Sequence, residues 1–243
     1  MKLSVQCYTL RDQFAQDAVG TYQAVKDMGL NYVELAGFND KSPEELRAIL
    51  DRIGLQVSGS HVGLDRLSND LEGVIADHQT VGCDLVILPW IDKSVYEGGW
   101  DNFAATLAPI AERLSQVDIR FAYHNHAFEF ENDGLRVFFD NASPKVLAQL
   151  DCGWVYYAGA DPAAWIQSLS GRVPSVHLKE MNGDKDKWDA VAGTGKVDFD
   201  AILAIVDECG GEFGAIEMDN APGDPLADTA ACAKFFRAKG ISE

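Results

Sequence analysis

Short apolar runs recur along the chain at 3–7, 31–35, 55–60, 85–88, 119–124, 146–151, 173–178 and 213–218. Each is long enough for a strand and too short for a helix of ordinary length. Between them lie segments whose apolar positions repeat at helical spacing, at 22–28, 42–53, 71–81, 103–114, 163–169, 198–209 and 226–237, with a looser pattern at 135–139. Punctuation agrees with the periodicity. Ser42-Pro43-Glu44-Glu45 combines a capping hydroxyl, a first-turn proline and acids matched to the helix dipole. Gly29, Gly54 and Gly82 stand where helices are expected to stop. The longest irregular stretch is 181–197. Eight strand signals alternating with helices predict an α/β fold of the (β/α)8 TIM-barrel type, one domain over 1–243. A doubly wound open sheet is the alternative, but it seldom needs eight such regular units.

Composition narrows the function classes. The chain has 243 residues, 47% of them hydrophobic, enough for a well-buried core. Against 20 basic residues stand 38 acidic ones, a formal charge of −18, which repels phosphate backbones and anionic lipid surfaces. Nucleic acid and membrane are therefore not expected as partners. The N-terminus enters a strand without a cationic segment and long apolar run, and no window reaches the roughly 18 uninterrupted apolar residues of a membrane span. A soluble, cytoplasmic protein is expected. Cys7, Cys83, Cys152, Cys209 and Cys232 are odd in number and widely spaced, which argues for buried reduced thiols rather than a disulfide framework or structural zinc.

In such barrels the chemistry sits at the C-terminal ends of the strands. Those ends carry Glu34, His61, His124 and His126, Asp151, His177 and Lys179, and Glu217 and Asp219. Alternation along a strand tells which face each residue uses. Two residues before His124, Asp151, His177 and Glu217 stand Ala122, Gln149, Ser175 and Ala215, small or polar and suited to a narrow lumen. Their immediate neighbours Tyr123, Leu150, Val176 and Ile216 are large and apolar, as packing against outer helices requires. His124, Asp151, His177 and Glu217 are thus expected to form one inward ring at one height. Two imidazoles and two carboxylates suit one divalent transition metal better than Ca or Mg. The bland reading of any one of them is a hydrogen-bonded strand-end histidine or a helix-capping aspartate; four on successive strands favour the ring.

The ordered motifs 5–12, Tyr123-His124-Asn125-His126, Leu150-Asp151-Cys152-Gly153-Trp154, Val176-His177-Leu178-Lys179-Glu180, Gly193-Thr194-Gly195 and Ile216-Glu217 resemble the sugar phosphate isomerase/epimerase superfamily of xylose isomerase-like barrels. The resemblance spans almost the whole chain. It implies a Glu/Asp/His/Glu site filled by Mn, Co or Zn and a small-molecule carbohydrate as the partner, with homo-oligomerisation allowed. Two positions depart from the pattern. Where the epimerases place the first Glu, this chain has His124, with Glu129 the nearest carboxylate, so that either His124 or Glu129 is the fourth ligand. Three residues after Asp151, a substrate-gripping His is replaced by Trp154.

The chemistry such a site supports is proton abstraction next to a carbonyl through an enediolate, giving epimerisation, isomerisation or, if a β-substituent leaves, dehydration or β-elimination. Glu217 is the first candidate for the base, with Glu129 or His126 opposite, and Lys179 for holding a developing oxyanion. His61, Trp90 and Trp154 are candidates for substrate contact; Trp100 and Trp188 fall near the same end. A keto-sugar or inosose dehydratase is the principal alternative. A non-catalytic sugar-binding barrel and an endonuclease IV-like nuclease come after it, the latter opposed by the net charge. Gly193-Thr194-Gly195-Lys196 is not a phosphate loop, because Ala190 stands where the first glycine is needed and no Ser or Thr follows the lysine.

Overall fold

The computed structural model describes residues 1–184 and 188–241. Strands β1 (Lys2–Gln6), β2 (Tyr32–Ala36), β3 (Gln56–His61), β4 (Leu85–Leu88), β5 (Arg120–His124), β6 (Val146–Asp151), β7 (Ser175–Leu178) and β10 (Phe213–Ile216) close into a barrel. Neighbours in that order pair in parallel, and β10 returns to β1. This is the expected TIM barrel. A short antiparallel ribbon, β8 (Glu180–Met181) and β9 (Asp189–Ala190), lies inside the stretch that reads as irregular.

Local chemistry explains the elements that were legible. Helix Pro43–Ile53 has the full capping box between Ser42 and Glu45 and ends at Gly54 in the left-handed region, φ 80°. Such a cap is worth about 1 kcal/mol. The apolar face of that helix buries Leu46 and Leu50 in the core. Helices Arg11–Gln16, Leu64–Asn69 and Cys152–Tyr157 lacked a periodic signal, because a helix of six residues spans fewer than two turns. The loose pattern at 135–139 is a regular helix, Gly134–Asn141, with Leu135, Phe138 and Phe139 buried. All five cysteines are free and buried. Among the described residues no helix is long and apolar enough to cross a membrane.

The two faces of β5 show how the core is divided. Phe121 and Tyr123 point outward, and the Tyr123 ring packs on Phe103 and Phe138 of the covering helices at 6.0 and 4.7 Å. Ala122 points inward and, with Leu85 and Ile87, makes a small apolar plug inside the barrel. The rest of the lumen is polar. Ser4 and Ser58 bond across it at 2.6 Å, and Gln6 donates to Glu34 at 2.7 Å. The β2–β3 register slips between Val33 and Glu34, which sets Glu34 opposite Gly59. A Cβ at position 59 would lie 2.8 Å from Ile87 Cδ1 and 3.2 Å from Glu34 Oε2, so the glycine makes room for a carboxylate inside the barrel.

Candidate functional site

His124, Asp151, His177 and Glu217 are buried together, and one ligand atom from each falls within 4.8 Å of the others. Strict register would separate them: His124 pairs with Gln149, Asp151 with His177, and His177 with Ala215 rather than Glu217. Tilted strands restore the meeting point, since in a barrel of this type constant height climbs by about one residue per strand. His124 and His177 then share one layer, with Asp151 and Glu217 about one residue above. The ring is real, in two half-steps rather than at one height.

His177 is held from both sides. Its Nε2 lies 2.6 Å from Glu34 Oε1 and its Nδ1 2.9 Å from Glu217 Oε2. Burial works against the imidazolium, but the Glu217 and Glu34 carboxylates outweigh it and keep His177 protonated well above the usual histidine range. Glu34 in turn is opposed by its own burial and is nevertheless driven far below the ordinary carboxylate range by His177 and His61. Gln149 completes this floor, donating from Nε2 to Glu34 at 2.5 Å while its Oε1 faces His61 Nε2 at 2.9 Å and His124 Nδ1 at 3.1 Å. His124 itself is neutral, because burial, reinforced by the neighbouring imidazoles, pulls it well below its ordinary value.

The donor set fits a divalent cation. Asp151 Oδ1 accepts the Trp154 N–H at 2.8 Å, whereas the buried Oδ2 has no hydrogen-bond partner. A carboxylate oxygen without a hydrogen bond, with only His177 Nδ1 at 3.6 Å and Lys179 Nζ at 3.9 Å, beside a neutral imidazole and a second carboxylate, is the environment a cation satisfies. Burial raises Asp151 despite Lys179 and His177 nearby; a bound cation would reverse that logic.

Lys179 is fully buried over this ring, its Nζ 3.2 Å from Glu217 Oε2 and bonded also to Asp219. Burial opposes the ammonium, and Glu217, Asp151 and Asp219 overcome it, so its pKa is raised. The Trp154 ring lies 4.9 Å from Nζ, and Trp188 packs on Trp154 at 5.7 Å. Above the ring opens a cavity of about 410 Å³ lined by His61, His124, His126, Glu217, Trp90 and Tyr8, among others. Trp90 and Tyr8 are 54% and 45% exposed at its wall. His126 presents a buried Nδ1 with no hydrogen-bond partner, and burial, with Lys179, pulls its pKa down to about 4.

Glu129 is the clear departure from expectation. It was a candidate ligand and a candidate base, yet it does not line the cavity. The chain turns outward after His126 through a 3-10 turn, Phe128–Asp133, and carries the carboxylate behind β5. There Glu129 Oε1 accepts the Tyr123 hydroxyl at 2.8 Å and Oε2 the His126 N–H at 2.9 Å. Burial pushes its pKa up to about 7. It braces the His126 turn from outside the barrel. Trp100 is likewise a packing residue, stacked on Tyr96 at 4.4 Å.

Glu34 and Asp219 stand at strand ends with no role expected of them, and Gln6 and Tyr8 enter only within the 5–12 motif. Glu34 carried a usable signal, an acid in an otherwise apolar strand on the inward alternation. Gln149 carried one too, being two residues before Asp151.

The family model for the xylose isomerase-like TIM barrel matches residues 22–239. An inosose dehydratase of Lacticaseibacillus casei is 22% identical, over 89% of this chain and 88% of that protein. Among solved structures, a sugar phosphate isomerase/epimerase from Parabacteroides distasonis superposes with a TM-score of 0.84 at 18% identity, covering 100% of this chain and 95% of the other. An L-ribulose 3-epimerase superposes with a TM-score of 0.72 at 19% identity, covering 99% and 95%.

Proposed function

Because the chain belongs to the xylose isomerase-like TIM-barrel family, we propose that it is a metal-dependent enzyme that removes a proton next to the carbonyl of a ketose or keto-sugar. The observation that carries the reading is the buried His124, Asp151, His177 and Glu217 ring with its orphaned Asp151 oxygen, opening upward into a cavity large enough for a carbohydrate. Those four residues would hold one divalent ion of the Mn, Co or Zn type. When bound, such an ion supplies Lewis acidity toward a carbonyl oxygen.

The protein's own groups supply the rest. Glu217, kept ionised by Lys179 and His177 although buried, is the proton acceptor on one wall. His126, neutral and with an unpartnered ring nitrogen, is the acid or base on the other. Lys179, fixed between Glu217 and Asp219 behind the cavity wall, sets a full positive charge beside the Glu217 carboxylate and would act on the negative charge of an enediolate through the field of the site rather than by contact. Trp90 offers an exposed aromatic face for the C–H surface of a sugar, while Trp154 keeps Lys179 covered. His61 lines the cavity and hydrogen-bonds to the Gln149–Glu34 floor.

Returning the proton on the opposite face gives epimerisation, which two groups on facing walls permit. The similarity to inosose dehydratase favours a second outcome from the same first step, in which the proton taken up by Glu217 is passed to a departing β-hydroxyl, which leaves as water. One experiment separates them: protein reconstituted with Mn, Co or Zn is incubated in deuterium oxide with a panel of ketoses and keto-cyclitols. Deuterium in recovered sugar with retained mass of the skeleton supports isomerase or epimerase action, and a product lighter by water supports dehydration. Neither signal from any substrate with any of the three metals would sink the enzyme reading.

A further inference from the structure

Asp219 lines the cavity over the ring beside Glu217, two residues further along the chain past the end of β10. The two carboxylates share a cation behind the wall: Lys179 Nζ lies 3.2 Å from Glu217 Oε2 and 2.5 Å from Asp219 Oδ2. Their exposures differ from that of the lysine. Lys179 is fully buried, whereas 23% of the Asp219 side chain remains accessible. Among the described residues the second oxygen, Oδ1, has no hydrogen-bond partner, and it is not sealed from solvent. It opens on the cavity.

The turn that carries Asp219 is fixed from behind. Asp189 of β9, itself buried, accepts the Asn220 N–H at 2.8 Å and the Asp219 N–H at 3.4 Å. With one oxygen tied to Lys179, Asp219 holds the other out as an acceptor that needs no ordering when a ligand arrives. The remaining lining decides what that ligand can be. Tyr8, Ala36, Pro89 and Trp90 give the cavity an apolar and aromatic side, and among the described residues no lysine or arginine lines it. His124 and His126 are neutral. A phosphate monoester carries a charge of about −1.5 to −2 at pH 7 and its oxygens mainly accept, so beside Glu217 and Asp219 it meets like charge and no Lys or Arg to pair with. A hydroxyl has a proton to give to Oδ1.

We propose that Asp219 is a specificity-determining residue of this cavity. Its Oδ1 accepts a hydroxyl of the substrate close to the carbon that Glu217 faces, and it selects neutral polyhydroxylated ketones over their phosphate esters. This role rests on that of Glu217 as proton acceptor and narrows the substrate class of the same site. Two carboxylates at alternate positions, braced by one buried ammonium, divide the work: Glu217 faces the C–H bond and Asp219 the neighbouring hydroxyl. The exposed Trp90 face then meets the C–H surface of the same molecule.

The test uses the full chain loaded with Zn, with D-fructose and 2-keto-myo-inositol as neutral probes and fructose 6-phosphate as the anionic one. Binding is read as the change in tryptophan emission that Trp90→Phe removes, since Trp90 stands exposed in the cavity wall. Expected is a saturable change with a neutral probe, and binding of fructose 6-phosphate at least about tenfold weaker than that of fructose. Asp219→Asn still offers Lys179 an amide oxygen but replaces an anionic acceptor with a neutral amide. It should bind the neutral probe about tenfold more weakly, the loss of one hydrogen bond to a charged group, and should discriminate less against the phosphate ester, with metal retention and thermal midpoint as in the parent protein. Several results would overturn the assignment: no response to either neutral probe, fructose 6-phosphate bound by the parent as tightly as fructose, neutral affinity unchanged in Asp219→Asn, or equal losses for both kinds of probe. Should Asp219→Asn not fold, Asp219→Glu keeps the charge for Lys179 and displaces the acceptor; it should lose neutral affinity too, and unchanged affinity there overturns the assignment. Deuterium exchange into the same probes judges the functional reading apart. Neutral probes that bind as expected but exchange with none of the three metals would sink that reading and leave the recognition by Asp219 standing.

Discussion

Glu34 Oε1 lies 2.6 Å from Nε2 of His177, joining β2 to β7 across the barrel and across 143 residues of sequence. The contact leaves Nδ1 of His177 as the nitrogen that faces Asp151 and Glu217. A carboxylate behind a ligating imidazole fixes its orientation and strengthens it as a donor. Removing the charge in Glu34→Gln should therefore weaken metal binding about 10–100-fold, the range for such outer partners. Chelator competition measures it, and an unchanged affinity would show that Glu34 is only a structural neighbour.

The ring itself predicts a sharper loss. Wild-type protein loaded with Mn or Co and passed through a desalting column should retain about one ion per chain, as expected for a four-donor site. Asp151→Ala and Glu217→Ala should retain none and lose all turnover. Retention in both variants would mean that the cation, if any, binds elsewhere.

Lys179 depends on its surroundings in two ways that substitutions can separate. Lys179→Met leaves Glu217 and Asp219 without their cation, and breaking a buried pair from one side costs about 3–5 kcal/mol. Gly153→Ala keeps the charge but puts a Cβ 2.8 Å from Lys179 Cγ and 2.9 Å from Lys179 Cβ and backbone O. Overpacking of that kind costs about 1–3 kcal/mol and should shift the lysine. Both variants should lower turnover in a deuterium-exchange assay, with Gly153→Ala less destabilised in thermal melts. Full activity in Lys179→Met would remove the lysine from the mechanism.

Glu129 gives stability a pH dependence of definite sign. Burial raises its pKa from 4.5 in the unfolded chain to about 7 in the fold. The folded protein therefore holds a proton that the unfolded chain has already released, and the resulting stability is present in full below pH 4.5 and lost as pH rises toward 7. The difference corresponds to about 3 kcal/mol. Glu129→Gln has no charge to bury, and its amide can donate to Tyr123 Oη while its carbonyl accepts the His126 N–H. Denaturant melts at pH 5 and pH 8 should show a smaller loss of stability for the variant than for the parent protein. Parallel losses would assign the pH dependence to other groups, among them Asp189, which burial raises to about 6.

The residues of the ring could be read from the chain because strand alternation is a local property. Small or polar residues two positions before His124, Asp151, His177 and Glu217, and large apolar ones beside each, follow from a pleat with one crowded face and one covered face. The barrel was legible for the same reason: eight short apolar runs, each followed by a helical pattern, need no long-range information to be recognised. The resemblance to the family was carried by those same strand-end motifs, and membership rests on the match over residues 22–239.

What lies between strands was not legible. Height around a barrel depends on strand tilt and on the β2–β3 register slip at Glu34, and neither is encoded in any one strand. The outward path of Glu129 depends on a turn with Asn132 and Asp133 in the left-handed region, φ 53° and 60°, and on the aromatic packing behind β5 that receives it. Periodicity fixes which face of a strand a side chain uses. Closure of the barrel decided the rest, bringing Glu34 to His177 and turning Glu129 from a ligand into a brace.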